Sequence, residues 1–341
     1  MSDSEETRRI RVEGCERSYD CAAGDTILRA ALRAGLPFPY ECNSGSCGTC
    51  KFELLEGEVE SLWPEAPGLK ERDKRKGKRL GCQSRPLSDS VIRFRADESC
   101  IPRKTPKVVE ARFTDRRPMT HDLAEFEFHT GETADFLPGQ YALLELPGVT
   151  GLRAFSMSNL PNPEGVWQLQ IKNFPGGAGS AALFERLKVG DRVRIDGPYG
   201  LAYFRTDTER DIVCIAGGSG IAPMISIARA HAASPGGLTL DFFYGGRGPE
   251  DICGRELLET LPGFGELIRY HPVISMPELD PEGRWRGPTG FVHEEAARRL
   301  SDLADHEYYL AGPPPMVDAT LKMLVIEHKV PVAQIHYDRF Y

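Results

Sequence analysis

The pattern of apolar and polar residues divides the chain of 341 residues into three parts. In the first part, short apolar–polar alternations at 9–19 and 51–60 predict strands, and the second stretch predicts a hairpin. Between them, residues 25–35 predict one helix, for which Asp25 is a candidate N-cap and Gly35 a candidate end.

The middle part carries strand-like segments separated by glycine and proline. Their number and spacing predict a small antiparallel barrel. The segments are 108–115, 122–129, 139–146, 153–158, 166–172 and 192–196.

The last part alternates buried-type strands with helical patterns, which predicts a parallel sheet with helices on both faces. The strand patterns are 211–216, 238–243 and 307–310, and the helical patterns are 223–232, 251–260, 292–303 and 316–328. Residues 97–107 mix prolines and charges without any period, which indicates a connection between domains. We therefore expect domains at 1–98, 108–206 and 207–341, with a linker at 99–107.

Three cysteines in the first part stand at a C-x4-C-x2-C spacing, and a fourth follows after 31 intervening residues. They are Cys42, Cys47, Cys50 and Cys82. This is the ligand spacing of a plant-type [2Fe-2S] cluster. Only Asn, Ser, Gly and Thr stand between the first three, and such small residues let a loop wrap closely around a cluster. Zinc and two disulfides are the alternatives, but zinc sites usually have two close cysteine pairs.

Composition and charge narrow the class of protein. A net charge of −8 gives no general case for nucleic-acid binding. The chain has no apolar run of membrane-spanning length, and its acidic first residues do not resemble a secretory signal, so we expect a cytoplasmic protein. The other cysteines are expected to be ordinary thiols; they are Cys15, Cys21, Cys100, Cys214 and Cys253. The basic run 70–79 is either a solvated face or a docking surface for an acidic partner.

Two motifs in the middle part could hold an anionic, flat-ringed cofactor. Arg153, Phe155 and Ser156 lie on one predicted strand, where the arginine can bind a pyrophosphate and the aromatic ring can cover a flat ring system. A strand edge with an exposed arginine would explain them equally simply. The glycine-rich turn 175–180 leads into a helix and is a candidate anion site, although Ser180 could be only an N-cap.

The last part has a second glycine-rich turn, 217–220, directly after a buried-type strand and before Pro223. It lacks the G-x-G-x-x-G fingerprint, but glycines at the carboxyl end of a strand let a dinucleotide approach the backbone. The loop at 311–315 could form a wall of the same pocket. The aromatic end of the chain, 337–341, is expected to be tucked in, either as core packing or as cover for a cofactor ring.

Together these motifs resemble the reductase components of bacterial multicomponent oxygenases, and the resemblance covers essentially the whole chain. It implies a β-grasp ferredoxin domain, an antiparallel FAD-binding β-barrel and a parallel α/β domain that binds NAD(P). It implies that the four cysteines hold the cluster, and that Ser156 and Phe340 lie at the reacting flavin ring as catalytic residues. The residues expected to contact FAD are Arg153, Ala154, Phe155, Ser156, Ile171, Lys172, Gly177, Ala178, Gly179, Ser180, Phe340 and Tyr341. Those expected to meet the nicotinamide nucleotide are Gly217, Gly218, Ser219, Gly220, Pro223, Tyr244, Gly245, Arg247, Gly312, Pro313 and Pro314.

Two residues depart from the pattern of this family. Phe155 stands where the family usually has Tyr, so a hydroxyl hydrogen bond to the cofactor is lost. Ala311 stands where many relatives have Cys, so we expect no thiol near the reacting carbon and a different hydride-transfer rate or nicotinamide position.

The expected function is electron transfer from NADH through FAD and the cluster to a separate oxygenase or ferredoxin. A flavin accepts two electrons and releases them singly, so it suits the position between a hydride donor and a one-electron cluster. A Rieske-type aromatic ring-hydroxylating dioxygenase is the first choice of acceptor; a diiron monooxygenase or a deoxysugar dehydrase are alternatives. A non-enzymatic electron carrier or metal sensor would not need the glycine turn or the Arg153 strand. NADPH stays open because Arg247 could bind a 2′-phosphate, and the reductase is expected to be monomeric.

Overall fold

The computed structural model describes residues 6–14 and 17–341. The acidic stretch 1–5, which argued against a secretory signal, and Cys15 lie outside the described residues. Of the other scattered cysteines, Cys21, Cys100 and Cys214 are buried and Cys253 is half-buried, as expected for ordinary thiols.

The first domain is built on a mixed sheet that α1 covers, which confirms the β-grasp prediction. The strands, in sheet order β2-β1-β7-β3-β5, pair antiparallel except for the parallel pair β1 and β7. Its elements are β1 (Thr7–Val12), β2 (Ser18–Ala22), α1 (Ile27–Arg33), β3 (Lys51–Glu56), β4 (Val59–Ser61), α2 (Glu71–Arg75), β5 (Lys78–Leu80), β6 (Ser84–Pro86) and β7 (Ser90–Arg93).

Helix α1 is shorter than predicted because its first cap is one residue later. The Thr26 hydroxyl accepts a hydrogen bond from the backbone N–H of Arg29 at 3.4 Å, so Thr26 and not Asp25 is the N-cap. Gly35 has φ +71°, a left-handed conformation that suits glycine and ends the helix as predicted.

The hairpin predicted at 51–60 is wrong. Strand β3 pairs with β5 and β7, whereas β4 pairs with β6 in a small separate sheet. Gly57, at φ +90°, explains the difference: a side chain there would lie 2.4 Å from the Asp89 carbonyl oxygen. The chain therefore turns against the segment before β7 instead of folding back on β3.

The middle domain is the predicted antiparallel barrel. Its six strands follow the order β11-β10-β13-β8-β9-β12, and a bridge between Met157 and Leu169 joins the two outer strands. Phenylalanines such as Phe126 and Phe128 fill its interior. The elements are β8 (Lys107–Pro118), β9 (Leu123–Thr130), β10 (Tyr141–Glu145), β11 (Arg153–Ser156), β12 (Val166–Lys172), α3 (Ala178–Ala181) and β13 (Arg192–Tyr199).

The last domain is the predicted parallel sheet, with strand order β16-β15-β14-β17-β18. Its elements are β14 (Asp211–Gly217), α4 (Ile221–Ala233), β15 (Leu240–Gly246), α5 (Arg255–Glu259), β16 (Ile268–Ile274), α6 (Val292–Arg299), β17 (His306–Gly312), α7 (Pro314–Leu321) and β18 (Ile335–Arg339). The two edge strands, β16 and β18, were not predicted. Strand β16 contains Pro272, which an edge strand tolerates, and β18 was interpreted only as an aromatic tail.

The ferredoxin and barrel domains share one core and one buried ion cluster. Tyr141 and Tyr199 of the barrel pack in the same apolar cluster as the β-grasp core. Below them, Asp196 lies 2.6 Å from Nη2 of Arg33 and 3.5 Å from Nε of Arg29, both on α1. The Tyr199 hydroxyl donates to the same carboxylate at 2.8 Å. The two domains are therefore fixed to each other by buried contacts.

The segment predicted as a linker takes part in this packing. Cys100 is buried in the shared core, and the backbone N–H of Asp97 donates to the Pro37 carbonyl at 3.0 Å. Strand β8 then begins at Lys107. Among the described residues, no helix has the length and apolar character that crossing a membrane would need.

We expect Asp196→Ala to lower the stability of the holoprotein by about 3 kcal/mol, because it leaves two buried arginines to share the single carboxylate of Asp25. Glu145→Ala is the control: Glu145 pairs with Arg194 at 3.1 Å on the surface, where such pairs contribute only about 0–1 kcal/mol. Thermal and denaturant unfolding of both variants measure the difference. Equal losses of stability in the two variants would contradict the role given to Asp196.

Candidate functional site

The four candidate cluster ligands form two pairs of thiols. The sulfurs of Cys50 and Cys82 lie 3.4 Å apart. Cys42 and Cys47 form the second pair, in which the backbone N–H of Cys47 donates to the Cys42 sulfur at 3.3 Å. Two pairs are what a cluster with two irons and four cysteine ligands requires.

The loop that carries these thiols depends on glycine. Gly45 and Gly48 have φ +94° and +78°, and a side chain on Gly48 would lie 2.3 Å from the Gly68 carbonyl oxygen. The tight wrap turns backbone N–H groups inward: Ser44 donates to the Cys42 sulfur at 3.5 Å and Thr49 to the Cys47 sulfur at 3.4 Å. Such donors stabilise thiolates, the form in which cysteine binds metal.

The chemistry of the loop fits a cluster. Hydrogen bonding from the Cys47 side chain, together with backbone N–H groups, lowers the pKa of the Cys42 thiol despite its burial. The side-chain amide of Asn43 is buried, and neither its oxygen nor its nitrogen has a protein partner. An unpaired buried amide beside four thiols is accounted for by a group that the loop encloses.

A cleft of about 310 Å³ lies where the barrel, the last strand and the cysteine loop meet. Its walls include the β11 and β12 residues that were predicted to contact FAD and the glycine-rich turn before α3. Cys42 and Ser44 of the cysteine loop also line it, and so does Ser219 of the second glycine turn. The predicted FAD residues Arg153, Ala154, Phe155, Ser156, Ile171, Lys172, Gly177, Ala178, Gly179, Ser180, Phe340 and Tyr341 all line it.

The glycine-rich turn of the barrel is braced from within. The Ser180 hydroxyl accepts from the backbone N–H of Phe174 at 3.1 Å and lies 3.0 Å from the Gly177 carbonyl. Ser180 is therefore inside α3 and not its N-cap, which is Gly177. A side chain on Gly179 would lie 3.0 Å from Cγ of Arg153, so the turn rests directly on the predicted pyrophosphate-binding arginine.

The cleft has the surface that a flavin nucleotide needs. Phe174 and Tyr341 each leave 59% of their surface exposed, which offers apolar faces to a flat ring. Two buried side-chain oxygens in its walls, Oε1 of Gln170 and Oδ2 of Asp338, have no protein partner. Burial and the nearby charge of Glu41 raise the pKa of Asp338 to about 7. These unpaired polar atoms fit a bound group that carries its own donors.

Packing accounts for two glycines of the second turn. A side chain on Gly220 would lie 2.0 Å from the Ala311 carbonyl oxygen, and one on Gly217 would lie 2.7 Å from the Met316 sulfur. Gly218, at φ +56°, has only Cδ of Lys172 near it, at 3.8 Å. The argument that several glycines in a row indicate a ligand is therefore weaker than expected, and Gly218 with Ser219 forms the open part of the turn.

The nucleotide residues predicted from the sequence gather around this turn. Gly312 has φ +151° and packs against Gly217, Pro313 lies beside the same glycine, and Pro314 begins α7. Pro223 is buried in the first turn of α4. The Tyr244 hydroxyl donates to the Gly218 carbonyl at 3.1 Å, and Gly245 packs against Val292.

Three known domain families match this chain in the same order as its three structural domains. The 2Fe-2S iron-sulfur cluster binding domain matches residues 10–87, the oxidoreductase FAD-binding domain residues 110–204 and the oxidoreductase NAD-binding domain residues 214–322. The ferredoxin–NAD(P)(+) reductase CarAd of Metapseudomonas resinovorans is 43% identical over 338 residues, which cover 98% of this chain and 99% of that protein. This chain belongs to the family of oxygenase reductase components.

Further relatives agree with that assignment. The ferredoxin–NAD(+) reductase component of the alkene monooxygenase system of Xanthobacter autotrophicus is 41% identical, with 95% of this chain and 98% of that protein covered. A solved ferredoxin reductase in carbazole 1,9a-dioxygenase has a TM-score of 0.91 at 38% identity, covering 98% of this chain and 99% of that chain. The reductase is an NAD(P)H-dependent oxidoreductase with [2Fe-2S], FAD and NAD-binding domains, as predicted.

Several residues of the cleft were not found from the sequence. Gln170, Phe174 and Asp338 line it, and so does Tyr141 from the neighbouring strand β10. Gln170 and Phe174 lie within or just after a predicted strand, so its alternation could have indicated them. Tyr341, expected to be tucked in, is largely exposed because it lies over the cleft mouth and not in a core.

We expect Gly48→Ala to reduce cluster content severalfold, because the methyl group would meet the Gly68 carbonyl and open the loop. Gly77→Ala is a matched control: Gly77 also has positive φ, +71°, but no atom lies within 4 Å of the position of the new methyl group. Iron and labile sulfide per protein, with visible absorption, measure the effect. Full cluster content in Gly48→Ala would contradict this account of the loop.

Proposed function

We propose that this reductase takes electrons from NADH and delivers them, through FAD and the cluster, to a separate ferredoxin of a Rieske-type aromatic ring-hydroxylating dioxygenase system. FAD accepts two electrons as hydride and releases them one at a time to a one-electron cluster. The observation that supports the route most directly is the cleft itself, because it touches both Ser219 of the nucleotide turn and Cys42 of the cluster loop.

Side chains and open backbone of this protein would bind and orient FAD and the nicotinamide nucleotide. Arg153 contacts the turn before α3 and would bind the FAD pyrophosphate, and Ser156 lines the cleft as a buried side chain. Phe155 of the barrel and Phe340 of the last domain both line the cleft and would contact the flavin ring. Gly218 and Ser219 leave open backbone for the nicotinamide nucleotide. Hydride transfer needs no general acid or base from the protein.

NADH is favoured over NADPH by the position of Arg247, which follows β15. Its guanidinium binds Asp251 with two hydrogen bonds, from Nε at 2.8 Å and from Nη2 at 2.9 Å. Asp122 lies 3.5 Å from the same Nη2. A guanidinium that already binds a carboxylate is not free to bind a 2′-phosphate. The negative charges of Asp251 and Asp122 would also repel a phosphate at this position.

A ferredoxin is proposed as the immediate acceptor because the two relatives of 43% and 41% identity are both named ferredoxin reductases. The second belongs to an alkene monooxygenase system, which supports a diiron monooxygenase as the alternative final acceptor. A solved cytochrome P450 reductase from Amycolatopsis is also similar, with a TM-score of 0.81 and 31% identity. The acceptor class therefore varies among relatives that share this whole fold.

We expect the purified protein to contain flavin and iron–sulfur absorption, and NADH to bleach both under anaerobic conditions. Ferredoxins and oxygenases of the Rieske and diiron classes are then compared as acceptors by their rates of NADH-dependent reduction. Fastest reduction of a Rieske-system ferredoxin supports the proposal, whereas equal rates for every acceptor contradict the acceptor assigned. Flavin bleaching without cluster bleaching contradicts the route itself.

We expect Asp251→Asn to raise kcat/KM for NADPH by about tenfold, the scale of one hydrogen bond to a charged group, because it frees Arg247. The change for NADH should be small by comparison. Glu259→Gln is a matched control, since Glu259 pairs with Arg255 at 2.7 Å on the surface of α5. An unchanged NADPH to NADH ratio in Asp251→Asn would show that Arg247 does not select the nucleotide.

A further inference from the structure

One ion pair joins the cysteine loop to the last strand of the nucleotide domain. Nη1 of Arg339, at the end of β18, lies 3.1 Å from Oε1 of Glu41. Both side chains are largely buried, with 18% and 17% of their surfaces exposed. Glu41 directly precedes the cluster ligand Cys42, and Arg339 directly precedes Phe340. The pair thus spans the chain from its first domain to its last.

Glu41 is also held by the barrel. The Tyr141 hydroxyl donates to the backbone carbonyl of Glu41 at 2.6 Å, while its carboxylate accepts from Arg339. Next to it, the Tyr40 hydroxyl accepts from the backbone N–H of Gly200. All three domains therefore meet at the residue before a cluster ligand.

Arg339 is fixed on its other side. Its Nε donates to Oδ1 of Asp318 on α7 at 2.9 Å, and its guanidinium lies 4.6 Å from the centre of the Tyr337 ring. These two contacts within its own domain restrict the guanidinium of Arg339. Its third contact, with Glu41, therefore fixes the cysteine loop relative to β18.

We propose that Glu41 and Arg339 are positioning residues for electron transfer from FAD to the cluster. The pair holds the Cys42 end of the loop against the cleft that Phe340 covers. In the step it serves, one electron leaves the flavin site and the oxidised cluster gains it; no bond is made or broken. Electron transfer slows steeply with distance, so a loose loop is expected to slow this step. The inference rests on the proposed route through FAD and the cluster.

A positioning role and a purely electrostatic role of Glu41 predict different results for its variants. Glu41→Ala and Glu41→Gln remove the same negative charge beside the cluster, but only Gln keeps an oxygen that can accept from Arg339. A positioning role predicts that Glu41→Ala slows cluster reduction severalfold, because electron transfer slows steeply as the distance between the flavin site and the cluster grows. It predicts that Glu41→Gln restores most of the rate. A charge effect alone predicts equal rates in the two variants.

Arg339→Met provides an independent variant with the opposite change of charge. Removing a negative charge raises the potential of the cluster, and removing a positive charge lowers it. If driving force were the only effect, Glu41→Ala and Arg339→Met would change the rate in opposite directions. The positioning role predicts that both variants slow the step, and that Arg339→Lys is less affected than Arg339→Met.

The experiment is single-turnover stopped flow of the holoprotein with NADH, in which flavin and cluster reduction are resolved by wavelength. It is combined with the cluster midpoint potential and with hydrogen exchange of residues 37–44 and 335–341. Glu110→Gln is the control, because Glu110 pairs with Arg192 at 2.8 Å on the exposed surface of the barrel. We expect faster exchange in both segments and a lower ratio of cluster to flavin reduction rates in Glu41→Ala and Arg339→Met, and neither change in Glu110→Gln.

The outcomes separate this inference from the function on which it rests. If NADH fails to reduce the cluster of the unaltered protein, the proposed route is wrong. If that reduction occurs but Glu41→Ala retains the wild-type ratio of rates, the positioning role is wrong and the route stands. If the rates of Glu41→Ala and Arg339→Met change in opposite directions, as their midpoint potentials do, the positioning role is also wrong. The effect of the pair is then purely electrostatic.

Discussion

The structure depends on one constraint: the loop that carries the cluster ligands must also form a wall of the flavin cleft. Cys42 and Ser44 line that cleft, although they belong to a different domain from the β11 and β12 residues opposite. This arrangement needs the ferredoxin domain to stay fixed on the barrel. The buried contacts of Asp196 with α1 and the shared core around Tyr199 provide that rigidity. Inter-domain motion is the usual expectation where such buried contacts are absent.

Glycine occurs in the functional loops of this protein for more than one structural reason. Gly48 is required because another backbone segment, at Gly68, approaches it, and Gly220 because the Ala311 carbonyl does. In both cases close packing gives the loop its shape, and the shape then turns N–H groups or open backbone toward a ligand. Gly218 differs, since no backbone approaches it and only Cδ of Lys172 comes within 4 Å of the position of a side chain. A run of glycines in a sequence cannot separate these causes, because the approaching backbone comes from elsewhere in the chain.

Sequence patterns predicted the strands and helices inside each domain well, and they failed where distant segments meet. The barrel strands and the central strand β14 were found because their apolar periods are local. The hairpin at 51–60 failed because β4 pairs with β6 instead, and β18 was missed because its partner β17 lies more than twenty residues away. In the site, motif residues such as Arg153 were found, whereas Glu41, Asp338 and Arg339 were not. Their importance arises only from contacts between domains.

The structure shows the surroundings of Ala311, one of the two residues that depart from the family pattern. Ala311 is fully buried and packs in the core of the last domain with Tyr244 and Tyr309. A thiol does lie near the nucleotide turn, on a separate segment: the Cys253 sulfur is 3.7 Å from the Tyr244 hydroxyl, which itself donates to the Gly218 carbonyl. Burial raises the pKa of Cys253 to about 11, so it stays a neutral thiol. Ala311 therefore belongs to the core beside the turn, while the backbone of Gly218 stays open.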